Sequence, residues 1–153
     1  MAGMNIDMKI LSVIDLFSEV DRKPRYYGTD TSIHNAEIRM LSMVKEHEGI
    51  HVGGLAEKLG VTKGAVSALL RKLERKGLIV KETDAYNLSK LNIHLTDKGE
   101  TAHEHHLRYH EQIHKIFKDT LCQYSPKEID CLHRFLDDIL KEDTKSKLEN
   151  LQD

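Results

Sequence analysis

The chain is poor in what cross-linked and sheet-rich folds depend on. Its 153 residues include two cysteines, two prolines, nine glycines and no tryptophan, and aromatics make up 5%. Two thiols cannot form a disulfide framework. With few turn-formers and few aromatic strand-formers, helices are favoured over a β-sandwich. No apolar run approaches the roughly 20 residues that span a bilayer. The opening MAGMNIDMKI lacks the basic-then-apolar order of a secretory signal. These absences predict a cytoplasmic chain with no membrane partner. There is no His-Glu-x-x-His sequence, glycine-rich phosphate loop or nucleophile elbow, so no enzyme is expected.

Charge shows no excess of one sign, at −2 net, but it is unevenly placed. Between Val61 and Lys90, seven basic residues (Lys63, Arg71, Lys72, Arg75, Lys76, Lys81, Lys90) outweigh Glu74, Glu82 and Asp84. From Leu121 onward, five basic residues (Lys127, Arg134, Lys141, Lys145, Lys147) face eight acidic ones (Glu128, Asp130, Asp137, Asp138, Glu142, Asp143, Glu149, Asp153). A basic middle and an acidic tail suggest one surface turned toward a polyanion and another turned elsewhere.

Periodicity supplies the elements. Ile6, Ile10, Val13, Ile14 and Phe17 recur at spacings of three and four, predicting a helix from Asn5 to Glu19. Pro24 and Gly28 mark a loop from Asp21 to Ser32. A second helix is expected over Asn35–Glu48, with Ile38, Leu41 and Val44 inward. A short one follows over Val52–Leu59, stopped by Gly60. Thr62 is placed to cap the next helix, which runs to Lys76 and closes at Gly77. Leu78–Glu82 and Leu91–Leu95 then read as a hairpin around a polar tip that holds Asp84 and Asn87. A long helix from Asp97 to Cys122 and another from Pro126 to Lys141 complete the chain, with the remainder frayed. The fold class is mainly α with a small β-hairpin wing.

The run LAEKLGVTKGAVSALLRKLERKGLI, Leu55 to Ile79, carries the functional argument. Val66, Leu69, Leu70 and Leu73 form one face of its second helix, and Lys63, Ser67 and Arg71 an adjoining one. Gly64, Ala65 and Ala68 are small enough to let the helix approach another surface. Small residues for approach, with hydroxyl and basic groups for base edges and phosphates, suit a helix entering the major groove. Thr62 and the free amides of the first turn suit a phosphate. Lys72, and Lys90 in the hairpin, are the candidate backbone contacts.

With LAEKLGVTKGAVS, LERKGLI and LTDKGE in these places, residues 33–141 resemble the MarR family of winged helix-turn-helix transcriptional regulators. That resemblance implies a DNA-binding domain over 33–96. It implies a helical dimerisation region from 1–32 and 97–153, and a homodimer on a palindromic operator. Many family members also bind a small anionic effector in a cleft between the DNA-binding and dimer parts. Where the family carries an aspartate-arginine pair in the wing, this chain reads DAYNLSKLNIHLT, with Lys90 the nearest basic residue. A winged-helix module that binds only protein is the alternative, distinguished by the salt dependence of DNA binding.

Histidine is abundant, at ten residues. His103, His106, His110 and His114 share one helical sector, at spacings that let two imidazoles hold one zinc or another divalent transition metal. The zinc-responsive AdcR/ZitR-type members are similar here: aligned on Leu95-Thr96-Asp97, His106 and His110 match two of their zinc-binding histidines. Their third histidine is Arg39 in this chain, and their loop cysteine has no counterpart between Asp21 and Ser32. His34 and Glu37, with the loop residues Asp21 and Asp30, are the remaining donors on offer. A metal ion, a small organic effector and neither all remain open for this stripe. Cys122 and Cys131 are expected to be buried and structural.

Overall fold

The computed structural model describes residues 5–83 and 91–150. Its helices are α1 (Ile6–Arg22), α2 (Asn35–Glu46), α3 (Val52–Leu59), α4 (Lys63–Arg75), α5 (Asp97–Leu121), α6 (Pro126–Leu140) and α7 (Glu142–Glu149). The strands β1 (Ile79–Thr83) and β2 (Leu91–Leu95) lie between α4 and α5. By packing, residues 1–108 form one unit and residues 109–153 another.

In the first unit the helix ends are set by local chemistry. The His51 Nδ1 accepts the Gly54 N–H at 2.9 Å and caps α3. Gly60, at φ +62°, turns the chain out of α3. The Thr62 Oγ1 accepts the Ala65 N–H at 3.2 Å, as its position predicts. Ile33, Ile38, Leu41, Val44, Leu55, Val66, Leu70 and Leu73 are fully enclosed, joined by Leu78, Ile79 and Ile93 from the hairpin. Each such side chain contributes about 1.5–3 kcal/mol on leaving water. α4 is thereby held by one face, leaving the other to solvent.

β1 and β2 pair antiparallel, with Ile79 opposite Leu95 and Thr83 opposite Leu91. The base of the hairpin is tied to both neighbouring helices through backbone. Leu78 N–H donates to the Leu73 carbonyl at 3.0 Å, and Thr96 N–H donates to the Leu78 carbonyl at 3.1 Å. The Thr96 hydroxyl donates to the Gly77 carbonyl at 2.6 Å and accepts the Gly99 N–H at 3.1 Å. α5 starts so close to this base that a methyl group on Gly99 would overlap the Leu78 carbonyl oxygen and lie 3.1 Å from its carbon.

Three expectations are corrected. The first helix extends to Arg22, into the expected loop and past the expected end at Glu19. The second stops at Glu46, with Gly49 at φ +76° in the turn that follows. The segment expected to fray forms α7, where Thr144 Oγ1 bonds the Asp138 carbonyl at 3.0 Å and Lys147 pairs with Asp143 at 2.6 Å. Local polar pairs hold that helix, which has no apolar stripe to announce it. No helix among the described residues is long and apolar enough to cross a membrane.

Candidate nucleic-acid interface

The outward face of α4 carries the residues expected to read DNA. Thr62, Lys63, Gly64, Arg71 and Lys72 are exposed, and Ser67 is half-buried beside the enclosed Val66. A side chain added at Gly64 would meet only the Thr62 hydroxyl, at 3.9 Å, so this turn presents open backbone to solvent. Among the described residues, Lys63, Arg71 and Lys72 have no ion-pair partner, although acidic residues are as common as basic ones in the chain. Their charge is left available to an outside polyanion. Lys90, with Asp84 and Asn87, lies outside the described residues.

Behind α4 sits a part-buried ion pair that sequence reasoning missed. Lys76 donates to Glu37 at 2.6 Å and to the Ser32 carbonyl at 2.7 Å, while the His34 N–H donates to Glu37 at 2.8 Å. Glu37 is only 4% exposed. Burial alone would raise its pKa. The His34 N–H and the Lys76 ammonium outweigh burial and hold the carboxyl below the usual carboxylate range. The pairing links positions 39 residues apart, a separation that local periodicity cannot register.

The histidine stripe divides. His103 and His106 are buried, whereas His110 and His114 are exposed. His103 Nδ1 lies 3.2 Å from the Ser42 hydroxyl, and His106 meets the Tyr27 ring edge-on at 5.5 Å. Of the other donors considered for a metal, Glu37 is engaged as described. Asp30 pairs with Lys98 at 2.6 Å, and Asp21 accepts from Asn35 at 3.2 Å. His34 serves as the N-cap residue of α2. Among the described residues, no three His, Cys, Asp or Glu side chains gather to hold a metal ion. The four-residue set His106, His110, His34 and Glu37 therefore does not fit a metal within one chain as it stands, because its carboxylate is already neutralised by Lys76.

Cys122 and Cys131 are both exposed, a correction to the expected burial. They stand on apolar-rich stretches, but on the solvent side of a single chain. Sequence reasoning also passed over His51, although a polar residue directly before VGGLAEKL is a cap signal.

Residues 31–87 match the model of the MarR family. The HTH-type transcriptional regulator YhjH of Bacillus subtilis is 29% identical over 114 residues, which is 74% of this chain and 65% of that relative. The chain thus spans just under two thirds of the relative's length. A mutant of S. aureus MepR bound to oligodeoxyribonucleotide is similar at TM-score 0.61 and 26% identity, covering 90% of this chain and 97% of that one. Streptococcus pneumoniae FabT in complex with DNA shares the fold at TM-score 0.69 and 23% identity, covering 97% and 100%.

Proposed function

We propose that this chain, whose residues 31–87 match the MarR family, is a winged-helix transcriptional regulator that binds duplex DNA as a homodimer whose affinity is set by an effector. The observation that carries this reading is the solvent face of α4, whose cations have no ion-pair partner among the described residues and whose backbone is open at Gly64. In this reading α4 lies in the major groove, with Lys63, Ser67 and Arg71 toward base edges and phosphates. Thr62 and Gly64 allow close approach at the helix start, and Lys72 and Lys90 take the backbone. MepR bound to an oligodeoxyribonucleotide and FabT in complex with DNA support it by likeness.

Dimerisation is supported by apolar side chains left in water. On α1, Ile6, Leu11, Ile14, Leu16 and Phe17 are exposed, and on α6 so are Leu132, Phe135, Leu136, Ile139 and Leu140. Surfaces of this kind mark assembly. Residues 33–96 are then the DNA-binding domain, and 1–32 and 97–153 the dimerisation region. A palindromic operator follows from two-fold symmetry, with recognition helices about 34 Å apart to meet successive major grooves. An effector that alters this spacing alters affinity. Zinc on His106 and His110, at i, i+4 spacing on α5, is one such effector only with further donors from outside this chain, since Glu37 is held by Lys76. A small organic anion is the other.

Duplex affinity measured against salt, with and without a chelator, tests the reading. Four cations per protomer (Lys63, Arg71, Lys72, Lys90) predict a log–log slope of about −7 for the dimer. A flat response removes DNA binding and leaves a protein-interaction module. Loss of affinity on chelation, absent in a His106→Ala/His110→Ala variant, identifies the effector as a metal.

A further inference from the structure

The turn between α2 and α3 is held at each end by an imidazole, and the two rings make opposite demands on a proton. His47 Nδ1 lies 3.1 Å from the Met43 carbonyl in the last turn of α2. A carbonyl only accepts, so this nitrogen carries a proton. His51 Nδ1 accepts the Gly54 N–H at 2.9 Å at the start of α3. An amide N–H only donates, so this nitrogen is bare. Neutral imidazole serves both places through its two tautomers, whereas imidazolium serves only the first. A cation is also favoured at a helix C-terminus and disfavoured at an N-terminus. Proton uptake therefore leaves the end of α2 held and removes the cap from α3. The neighbouring helix does not share this sensitivity, because α4 is capped by the Thr62 hydroxyl.

The His51 ring also borders the start of α4. It lines an open cavity of about 550 Å³ with Gly53, Glu57 and Lys63. A methyl group on Gly53 would lie 3.3 Å from two atoms of the ring and 3.6 Å from Lys63 Cε, so ring and lysine stem stand side by side over that glycine. The charged groups facing the ring are thus Glu57 from α3 and Lys63 from α4. They act on an imidazolium in opposite directions, which leaves the lost cap to set the outcome. We propose that His51 is a proton-operated switch on α3. Protonation frees the first turn of α3, removes the ring from beside Lys63 and lowers duplex affinity in acid. The duplex part rests on the function proposed above, whereas the release of α3 stands without it.

Nuclear magnetic resonance of the full chain from about pH 8 to about pH 5, the span in which imidazoles take up a proton, follows the His51 ring and the Gly54 amide together. The amide resonance should move to the position of an unbonded amide in step with the ring. His51→Asn caps a helix without titrating, and its Gly54 amide should stay in place. Over the same span the duplex affinity of the wild type should fall about fivefold relative to His51→Asn, as for the loss of one ordinary cap. His51→Ala should show the weak affinity at both ends of the span. The other histidines are common to all three proteins, so the difference isolates His51. A Gly54 amide that ignores the His51 proton overturns the switch. So does an equal pH dependence in wild type and His51→Asn. Tighter wild-type binding in acid overturns it too, and would make the ring a cationic phosphate contact instead. If the wild type binds no duplex at any pH, the DNA reading fails and the Gly54 amide alone decides this proposal.

Discussion

Gly99→Ala tests whether α5 begins in backbone contact with the base of the wing. The added methyl would overlap the Leu78 carbonyl oxygen and lie 3.1 Å from its carbon and 3.2 Å from the Leu95 Cγ. A flexible side chain could move aside, but the Leu78 carbonyl is fixed by the Thr96 N–H at 3.1 Å. Forcing atoms into a packed site costs about 1–3 kcal/mol, and a backbone obstacle places this case at the upper end. With a urea slope of about 2 kcal/mol per molar, the unfolding midpoint should fall by about 1–1.5 M. Gly64→Ala is the control, since its methyl meets only the Thr62 hydroxyl at 3.9 Å. Removing a helical glycine there should leave stability unchanged or raise it by up to about 1 kcal/mol. Urea unfolding followed by circular dichroism at one protomer concentration makes the comparison. A Gly99→Ala stability within about 0.5 kcal/mol of wild type would refute the packing argument, as would an equal loss in Gly64→Ala.

Two further outcomes follow from the same geometry. Lys76→Met strands the Glu37 carboxylate and should cost about 3 kcal/mol at neutral pH. The folded Glu37 pKa lies below its ordinary value of 4.5. The pair's contribution is therefore present above that value and lost as pH falls through the folded pKa. The deficit of the variant should shrink in acid, and an equal deficit at low and neutral pH would exclude the ion pair as its cause. Leu136, 53% exposed on α6, is an expected dimer contact. Leu136→Asp should shift the mass by light scattering from dimer to monomer, and an unchanged dimer would remove this part of α6 from the assembly surface.

Much of the fold was legible because the chain punctuates itself. Gly60, Thr62 and Gly77 bound α4 with residues whose backbone or cap chemistry permits little else. Val66, Leu70 and Leu73 fix its buried face, so the outward set of Lys63, Ser67 and Arg71 could be named in advance. What escaped depends on distance or on polar pairing. Glu37 looked like a spare ligand until α4 brought Lys76 beside it. α7 has no apolar rhythm, and Cys122 and Cys131 sit on faces that a single chain leaves exposed.

The joint at Leu78 has a mechanical meaning. Leu73, Gly77, Leu78, Thr96 and Gly99 are tied by main-chain carbonyls and amides, with the Thr96 hydroxyl as the lone side-chain member. Such a coupling has almost no rotamers through which to absorb motion. A twist applied to the first turn of α5 is therefore passed to the end of α4 with little slack, as a crank pinned to its shaft passes on an angle. Whatever reaches that turn is delivered at the outer face of α4 as a change of pitch.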